Sequence, residues 1–150
     1  LALAIPEPFG VMGVVASDDQ PLLGLLSMIL PCIASGNRVV AVPSLKAALI
    51  VADSYQLLNT SDVPGGVINL VTGVPSELVT VLAAHDDVAA IWAIGPADEC
   101  EQIKKESAGN LKSVWTSDGK NPDWYDSQAE GYSWLERATQ VKNIWVPYGE

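Results

Sequence analysis

Short apolar runs alternate with helix-like segments along most of this chain, and no other feature constrains its fold as strongly. The runs are rich in Val, Ile and Ala and end at glycine, proline or polar residues, which is typical of strands buried on both faces of a sheet. Five such strands are predicted, at residues 11–16, 38–42, 67–71, 89–94 and 111–115. Strands that alternate with helices through short loops predict an α/β fold with a doubly wound, mostly parallel sheet.

Residues that favour the ends of helices stand between the predicted strands. Pro21 suits the first turn of a helix that reaches about Ser35, and Gly36 suits the position that ends it. Ser44 can cap a helix to about Leu58, because its hydroxyl can accept a hydrogen bond from a free backbone N–H. Two further helices are predicted, at residues 75–84 and from Gly95-Pro96 to about residue 107.

The last thirty residues differ from the rest, because they contain six of the ten aromatic residues at no single period. We predict a helix near residues 128–139 and a final strand at 143–146, and we divide the chain into a sheet domain, 1–122, and a C-terminal extension, 123–150. Trp and Tyr are enriched at binding interfaces, so this extension packs either on the sheet domain or on a partner. Its aromatic residues are Trp124, Tyr125, Tyr132, Trp134, Trp145 and Tyr148.

The charge balance excludes two classes of partner. Eight basic residues stand against eighteen acidic ones, for a formal net charge of -10. Such a chain repels nucleic acid phosphates and anionic lipid headgroups. The longest apolar run, residues 22–34, is too short to cross a bilayer core of about 30 Å, and it reads as a core helix. We therefore expect neither a nucleic acid nor a membrane partner.

The sequence favours structural roles for its two cysteines, its histidine and its paired aspartates. Cys32 and Cys100 lie far apart, without a CxxC motif or a secretory signal, and we interpret them as reduced thiols of a cytoplasmic protein. His85, the only histidine, is expected on the surface near the end of a helix. The pair Asp18-Asp19 could hold magnesium at the sheet edge, but a solvated turn is the favoured interpretation. We predict no metal site.

Four segments carry a resemblance to a known family. Residues 7–11, 36–40, 63–69 and 118–122 read EPFGV, GNRVV, VPGGVIN and DGKNP. In this order and spacing they resemble the Rossmann-like, cofactor-binding domain of the aldehyde dehydrogenase superfamily, over residues 7 to about 122. The resemblance implies the fold and implies NAD as the cofactor of the parent family. The matching residues are mostly turns and strands, so they do not by themselves imply activity.

The residues that the resemblance would make catalytic are replaced in this chain. Active members carry an asparagine in the loop after the first strand, and its amide stabilises the developing oxyanion. Asp19 stands at that position. The family's general base corresponds to Thr116, which cannot act as a base at neutral pH. No cysteine follows Cys100, so the resemblance supplies no nucleophile.

The residues that would bind the cofactor are also replaced. The family's Lys and Glu, which hold the adenosine ribose, correspond to Val42 and Leu45. Its Gly-Ser at the cofactor pyrophosphate corresponds to Gly95-Pro96, and proline lacks both the hydroxyl and the N–H. Asp98 and Glu99 in the first turn of the following helix would repel a pyrophosphate. We therefore assign no catalytic, cofactor-binding or metal-binding residue to this chain.

The pattern is most similar to the degenerate C-terminal module that one branch of the superfamily, family sixteen, carries after a complete dehydrogenase. It implies a non-catalytic module without a cofactor of its own, which supports a catalytic aldehyde dehydrogenase module in cis or in trans and a homodimer of the parent protein. Strand 143–146 would be available for edge pairing. The chain opens on Leu1 without a Met, which suggests a fragment. Two alternatives stay open: an excised part of an active NAD-dependent aldehyde dehydrogenase, and a sensor that binds another small molecule in the old cleft.

Overall fold

A computed structural model describes residues 1–147 of the chain, and these residues form seven strands and five α-helices. Strands β2 to β6 form one parallel sheet in the order β4-β3-β2-β5-β6, while β1 and β7 form a separate antiparallel pair. The strands are β1 (Ala2–Pro8), β2 (Val11–Val15), β3 (Arg38–Val42), β4 (Ile68–Leu70), β5 (Ala90–Ala93), β6 (Ser113–Thr116) and β7 (Thr139–Trp145). The helices are α1 (Pro21–Ala34), α2 (Ala48–Thr60), α3 (Pro75–Ala84), α4 (Ala97–Glu106) and α5 (Tyr132–Arg137).

The predicted α/β fold with a doubly wound parallel sheet is confirmed. The chain starts in the middle of the sheet at β2, moves outward through β3 to β4, and then returns to the other side of β2 for β5 and β6. This reversal of strand order lies between β2 and β5. In open α/β sheets the loops that leave the carboxyl ends of such strands separate and form a crevice.

The core has two layers, one on each face of the sheet, because successive residues of a strand point to opposite faces. Val14 of β2 and Trp92 of β5 belong to the layer covered by α1, α2 and α5. Their neighbours Val15 and Ile91 belong to the layer covered by α3 and α4. Both faces of the central strands are therefore buried, as the continuous apolar runs predicted.

The ends of several elements differ from the sequence prediction. The strand expected at 111–115 begins at Ser113, because Leu111 has a left-handed backbone with φ 57° at the end of a 3₁₀ turn. The helix expected at 128–139 is interrupted: a 3₁₀ turn covers Ser127–Ala129, and α5 begins only after Gly131, whose φ is 99°. Ser44 caps a 3₁₀ turn, Leu45–Ala47, that leads into α2.

The sequence prediction missed β1 and underestimated the length of its partner strand. The final strand was expected at 143–146, but β7 begins at Thr139 and pairs with β1 over seven residue pairs, from Ala2↔Trp145 to Pro8↔Thr139. Almost all residues of both strands are exposed, so neither strand has the polar and apolar alternation that marks a half-buried strand. Tyr148, the last aromatic residue of the extension, lies outside the described residues.

The aromatic residues of the extension divide into a buried and an exposed group. Trp124 is 6% exposed and Trp134 is 4% exposed, and both belong to the core layer that covers Trp92. The Trp134 ring lies 5.5 Å from that of Trp92 and 5.3 Å from that of Trp115, in edge-to-face geometry. Arg137 stacks over the Trp115 ring at 4.7 Å. The extension therefore packs on the sheet domain, and the division at residue 122 stays a prediction.

Two glycines allow side chains to approach the core elements closely. A Cβ at Gly24 of α1 would lie 2.8 Å from Nε1 of Trp124, and a Cβ at Gly13 of β2 would lie 2.9 Å from Cδ2 of Leu82. A side chain at Gly24 would therefore require the Trp124 indole to shift, and one at Gly13 would require the Leu82 side chain to shift.

Among the helices within residues 1–147, none is long and apolar enough to cross a membrane.

Candidate functional site

A cleft of about 580 Å³ lies where the carboxyl ends of the parallel strands meet, at the point where the strand order reverses. Ligands of doubly wound sheets bind at this position. Segments that follow β2, β3, β5 and β6 line the cleft, together with the first residue of α3. The lining residues are Val15, Ala16, Ser17, Asp18, Asp19, Ser44, Lys46, Pro75, Ile94, Gly95, Pro96, Glu99, Gly119 and Asn121.

The loop after β2 carries two aspartates into the cleft, and they have different surroundings. Asp18 accepts a hydrogen bond of 2.5 Å from the Ser44 hydroxyl and lies 3.4 Å from Nζ of Lys46. The hydrogen bond from Ser44 is the main reason that the pKa of Asp18 is lowered, and Lys46 adds to it. Asp19 is exposed, and within residues 1–147 its carboxylate forms no ion pair. The residue that the resemblance aligns with the family's oxyanion asparagine thus has a carboxylate without an ion-pair partner.

The end of β3 and the segment after it do not place Val42 and Leu45 in the cleft. Val42 is buried in the core layer under α3, and the side chain of Leu45 is exposed outside the cleft. Ser44 and Lys46 line the cleft instead. The 3₁₀ turn that Ser44 begins, by accepting a hydrogen bond from the Lys46 N–H at 3.1 Å, sets the position of the lysine. Sequence reasoning identified Ser44 as a cap but missed Lys46 as a cleft residue, because a 3₁₀ turn was not predicted there.

The segment after β5 brings a proline and a glutamate to the cleft at the start of α4. Pro96 immediately precedes the helix and has no N–H to offer. Glu99 extends over Gly95, where an added Cβ would lie 3.3 Å from its Oε2 atom. Burial raises the pKa of Glu99, and the charge of Asp98 raises it further. No lysine, arginine or histidine of residues 1–147 lies within ion-pair distance of Glu99.

The turn after β6 holds Thr116 outside the cleft. Its hydroxyl donates a hydrogen bond of 2.7 Å to Asp118, which also accepts one of 2.5 Å from Nζ of Lys104. These two partners, Lys104 first, lower the pKa of Asp118. Gly119 follows with φ 80° and forms part of the cleft wall. The residue that the resemblance aligns with the family's general base therefore hydrogen-bonds within a turn, and it is not among the cleft-lining residues.

The two cysteines and the histidine are not among the cleft-lining residues, although the buried Cys100 thiol donates to the carbonyl of Gly95, which is. Cys32 is buried and its Sγ donates to the Met28 carbonyl at 3.1 Å; burial raises the pKa of its thiol to about 12. Cys100 is buried as well. His85 is exposed at the end of α3, as predicted, and its carbonyl accepts a hydrogen bond from Lys112 at 2.6 Å. Residues 1–147 bring no three His, Cys, Asp or Glu side chains together as metal ligands.

The chain matches known proteins over most of its length. A sequence model of the Aldehyde dehydrogenase family matches residues 1–132. The chain is 33% identical over 120 residues to the NADP/NAD-dependent aldehyde dehydrogenase PuuC of Escherichia coli (strain K12), covering 79% of this chain and 24% of that protein. It is 34% identical over 120 residues to the betaine aldehyde dehydrogenase of Bacillus subtilis (strain 168), with the same two coverages of 79% and 24%. The chain thus spans about a quarter of the length of these relatives.

Solved structures give the same relationship. Aldehyde dehydrogenase C of Pseudomonas syringae, a mutant in complex with NAD+ and octanal, superposes with a TM-score of 0.73 at 30% identity, over 77% of this chain and 24% of that one. The glyceraldehyde-3-phosphate dehydrogenase GapN of Methanocaldococcus jannaschii, complexed with NADP, superposes with a TM-score of 0.68 at 29% identity, over 77% and 26%. The sequence resemblance is confirmed by fold and family alike. This chain belongs to the aldehyde dehydrogenase family.

Proposed function

We propose that this chain is a non-catalytic, aldehyde dehydrogenase-like module of oxidoreductase type. In this proposal it forms an assembly with a catalytic aldehyde dehydrogenase module and helps to hold that assembly together. The chemistry of the cleft supports the first part of the proposal, and the exposed β1·β7 pair supports the second. The degenerate module of family sixteen remains the type that its replaced residues fit best. We place it in the cytoplasm, consistent with its two unpaired, buried thiols.

The observation that carries the proposal is the pairing of Pro96 and Glu99 at the start of α4. A helix N-terminus binds phosphate through free backbone N–H groups and the positive end of its dipole. Here proline removes one N–H, and a half-buried carboxylate without a cation faces the same space. The residues present therefore do not fit a dinucleotide pyrophosphate.

The catalytic positions support the same proposal independently. A carboxylate at Asp19 would face a developing negative charge, and losing one oxyanion donor typically costs roughly 100- to 1000-fold in rate. Thr116 is turned toward Asp118, so no base faces the cleft at that position. Both cysteines are buried outside the cleft lining, and neither could reach an aldehyde bound there.

Calorimetric titration with NAD tests the proposal. We expect the 150-residue chain to give no saturable heat at millimolar NAD. A variant with Pro96→Ser and Glu99→Gln restores an N–H and removes the charge, and we expect it to gain measurable affinity. The control is Glu101→Gln, which removes one negative charge from the same helix at an exposed position outside the cleft. We expect this variant to show no measurable affinity for NAD. Submillimolar binding by the unmodified chain would refute the proposal.

The second candidate is a segment of an active NAD-dependent aldehyde dehydrogenase. It is favoured by structural relatives in complex with NAD+, and by a cleft that lies at the carboxyl edge of the sheet. The same titration separates the two candidates, because an active segment must bind NAD. The third interpretation is a ligand-sensing role for the cleft. It predicts that some other metabolite raises the melting temperature of the chain and that NAD does not.

A further inference from the structure

The turn after β6 has the backbone geometry of a type I′ turn. Its two central residues both have positive φ, 51° at Asp118 and 80° at Gly119, and the Lys120 N–H donates to the Ser117 carbonyl at 3.0 Å. Type I′ turns strongly favour Asn-Gly and Asp-Gly at these positions, because few other side chains tolerate a positive φ. The turn geometry therefore explains the Asp-Gly pair, which occurs once in the sequence.

An Asp-Gly pair is also an aspartyl sequence that can change its own backbone. The glycine nitrogen attacks the aspartyl Cγ, the N–Cγ bond forms, and the amide proton and the carboxyl hydroxyl leave together as water. A second water then opens the succinimide ring. Attack at the side-chain carbonyl carbon regenerates aspartate, and attack at the main-chain carbonyl carbon gives isoaspartate. Glycine promotes ring closure because it has no Cβ to obstruct its nitrogen.

The backbone of the turn opposes this ring closure. The ring requires Cβ of Asp118 and the Gly119 nitrogen to lie on the same side of the Asp118 Cα–C bond. In a type I′ turn ψ at this position is about 30°, the mirror image of the type I value, which puts the two atoms on nearly opposite sides. The turn also contacts the first residue of α4, since a Cβ added at Gly119 would lie 3.5 Å from the Ala97 nitrogen. The turn must therefore open before the ring can close.

Two partners of the Asp118 carboxylate oppose the same step. Oδ1 accepts a hydrogen bond of 2.5 Å from Nζ of Lys104 and one of 2.7 Å from the Thr116 hydroxyl. These contacts fix the orientation of the carboxylate. The carboxyl group reacts in its protonated form, because only then can it lose a hydroxyl. Lys104, and after it Thr116, lower the pKa of Asp118 and so reduce the protonated fraction.

We propose that Asp118-Gly119 is a latent modification site, at which isoaspartate forms when the turn opens, and that Lys104 and Thr116 keep the reaction slow in the folded chain. The side chain of Asp118 is 57% exposed, so water can reach the site. Isoaspartate adds one carbon to the main chain in the cleft wall, to which Gly119 belongs, and so alters the shape of the cleft. The inference does not depend on the function proposed above, because the protecting groups all belong to residues 97–120.

Peptide mapping of incubated protein tests the proposal. Trypsin cleaves after Lys112 and Lys120 and releases residues 113–120 as one peptide. Its isoaspartate form is separated by chromatography and identified by electron-transfer fragmentation. At neutral pH and physiological temperature we expect slow formation in the folded chain, and formation on the order of tenfold faster in urea, where the turn is open. Equal rates in both conditions, or no isoaspartate in urea, would overturn the proposal.

A variant of α4 tests the protection by Lys104. Lys104→Met removes the ion pair, and the substitution lies outside the tryptic peptide, so identical peptides are compared. We expect the folded variant to form isoaspartate about two- to fivefold faster, the range for loss of an exposed ion pair. The matched control is Lys105→Met, which removes the same charge from the next exposed position, where the lysine forms no ion pair within residues 1–147. Equal rates in the two folded variants would contradict the proposal.

A second variant keeps the test valid if Lys104→Met changes the stability of the chain. Thr116→Val removes the other hydrogen bond to Asp118, and circular dichroism shows whether each variant is folded. Thr116 lies inside the analysed peptide, so its variant is compared with its own rate in urea. We expect the ratio of the folded rate to the urea rate to rise above that of the parent chain. An unchanged ratio in Thr116→Val and in Lys104→Met would refute the protective role of these residues.

Discussion

The side-chain amide of Asn37 donates a hydrogen bond of 2.8 Å to the backbone carbonyl of Ala138, across 101 positions of the sequence. The same amide donates to the Cys32 carbonyl at 3.0 Å, and its oxygen accepts from the Gly10 N–H at 3.1 Å. Asn37 is 2% exposed, so no water replaces these partners. One side chain thus joins the end of α1, the turn between β1 and β2, and the residue between α5 and β7.

Replacing Asn37 with alanine leaves buried backbone groups without partners. Each such group costs about 1–3 kcal/mol, so we expect Asn37→Ala to lower the free energy of unfolding by about 3 kcal/mol. Urea denaturation followed by circular dichroism measures this change. Asn59→Ala removes the same side chain from an exposed position on α2 and should stay within about 0.5 kcal/mol. A similar effect of both substitutions would show that the Asn37 hydrogen bonds contribute little.

The contact between Gly24 and Trp124 predicts a second effect on stability. Gly24→Ala places a methyl group 2.8 Å from Nε1 of Trp124. Overpacking of this kind costs about 1–3 kcal/mol, which outweighs the gain of up to about 1 kcal/mol in helix propensity. The Trp124 N–H is buried without a partner, so Trp124→Phe removes both the nearest atom and an unsatisfied donor.

A double-mutant cycle separates this contact from other effects. We expect the Gly24→Ala change to cost clearly less in the Trp124→Phe background than in the parent chain, as measured by thermal or urea unfolding. Additive effects of the two substitutions would mean that the methyl group and the indole do not compete for the same space.

The hydrogen bond between Ser44 and Asp18 predicts a pH dependence. Because the pKa of Asp18 is lowered in the folded chain, its contribution to stability is present above the pKa of the unfolded chain and is lost as the pH falls through the folded value. Ser44→Ala removes the largest cause, so we expect the Asp18 pKa to rise toward its ordinary value in an NMR titration. Ser54→Ala is the control, since the Ser54 hydroxyl donates to the Val51 carbonyl within α2. An unchanged Asp18 titration in Ser44→Ala would assign the shift to Lys46.

The buried thiols predict slow chemical modification. Burial raises the pKa of Cys32 to about 12, and Cys100 is also buried, so the folded chain should expose neither thiol to a reagent. With an excess of a disulfide reagent we expect both thiols to react only as fast as the chain unfolds, and at once in denaturant. Immediate release of one equivalent from the folded chain would reveal an accessible thiol and weaken the non-catalytic proposal.

The sequence predicted the parallel sheet well because its strands are buried on both faces and read as continuous apolar runs. The exposed β1 was missed for the opposite reason: Ala2, Leu3 and Ile5 lie in a ribbon with no buried face, and their partners are at the far end of the chain. The positions of cleft-lining residues could be expected where a loop follows a strand directly, as for Asp19 and Pro96, although the sequence assigned neither of them a binding role. The position of Lys46 was not expected, because it depends on the 3₁₀ turn that brings this lysine beside Asp18.

The pairing of β1 with β7 has a consequence for the time at which this chain can finish folding. During synthesis β1 emerges before β2 to β6, and its partner strand β7 emerges only after them. Until then Leu3 and Ile5 have no neighbouring strand, and the Trp92 face of the sheet has not received Trp134. Contacts between distant segments form slowly and leave apolar surface open in the interval. We therefore expect the segment from β1 to β6 to leave this apolar surface uncovered until β7 has been synthesised.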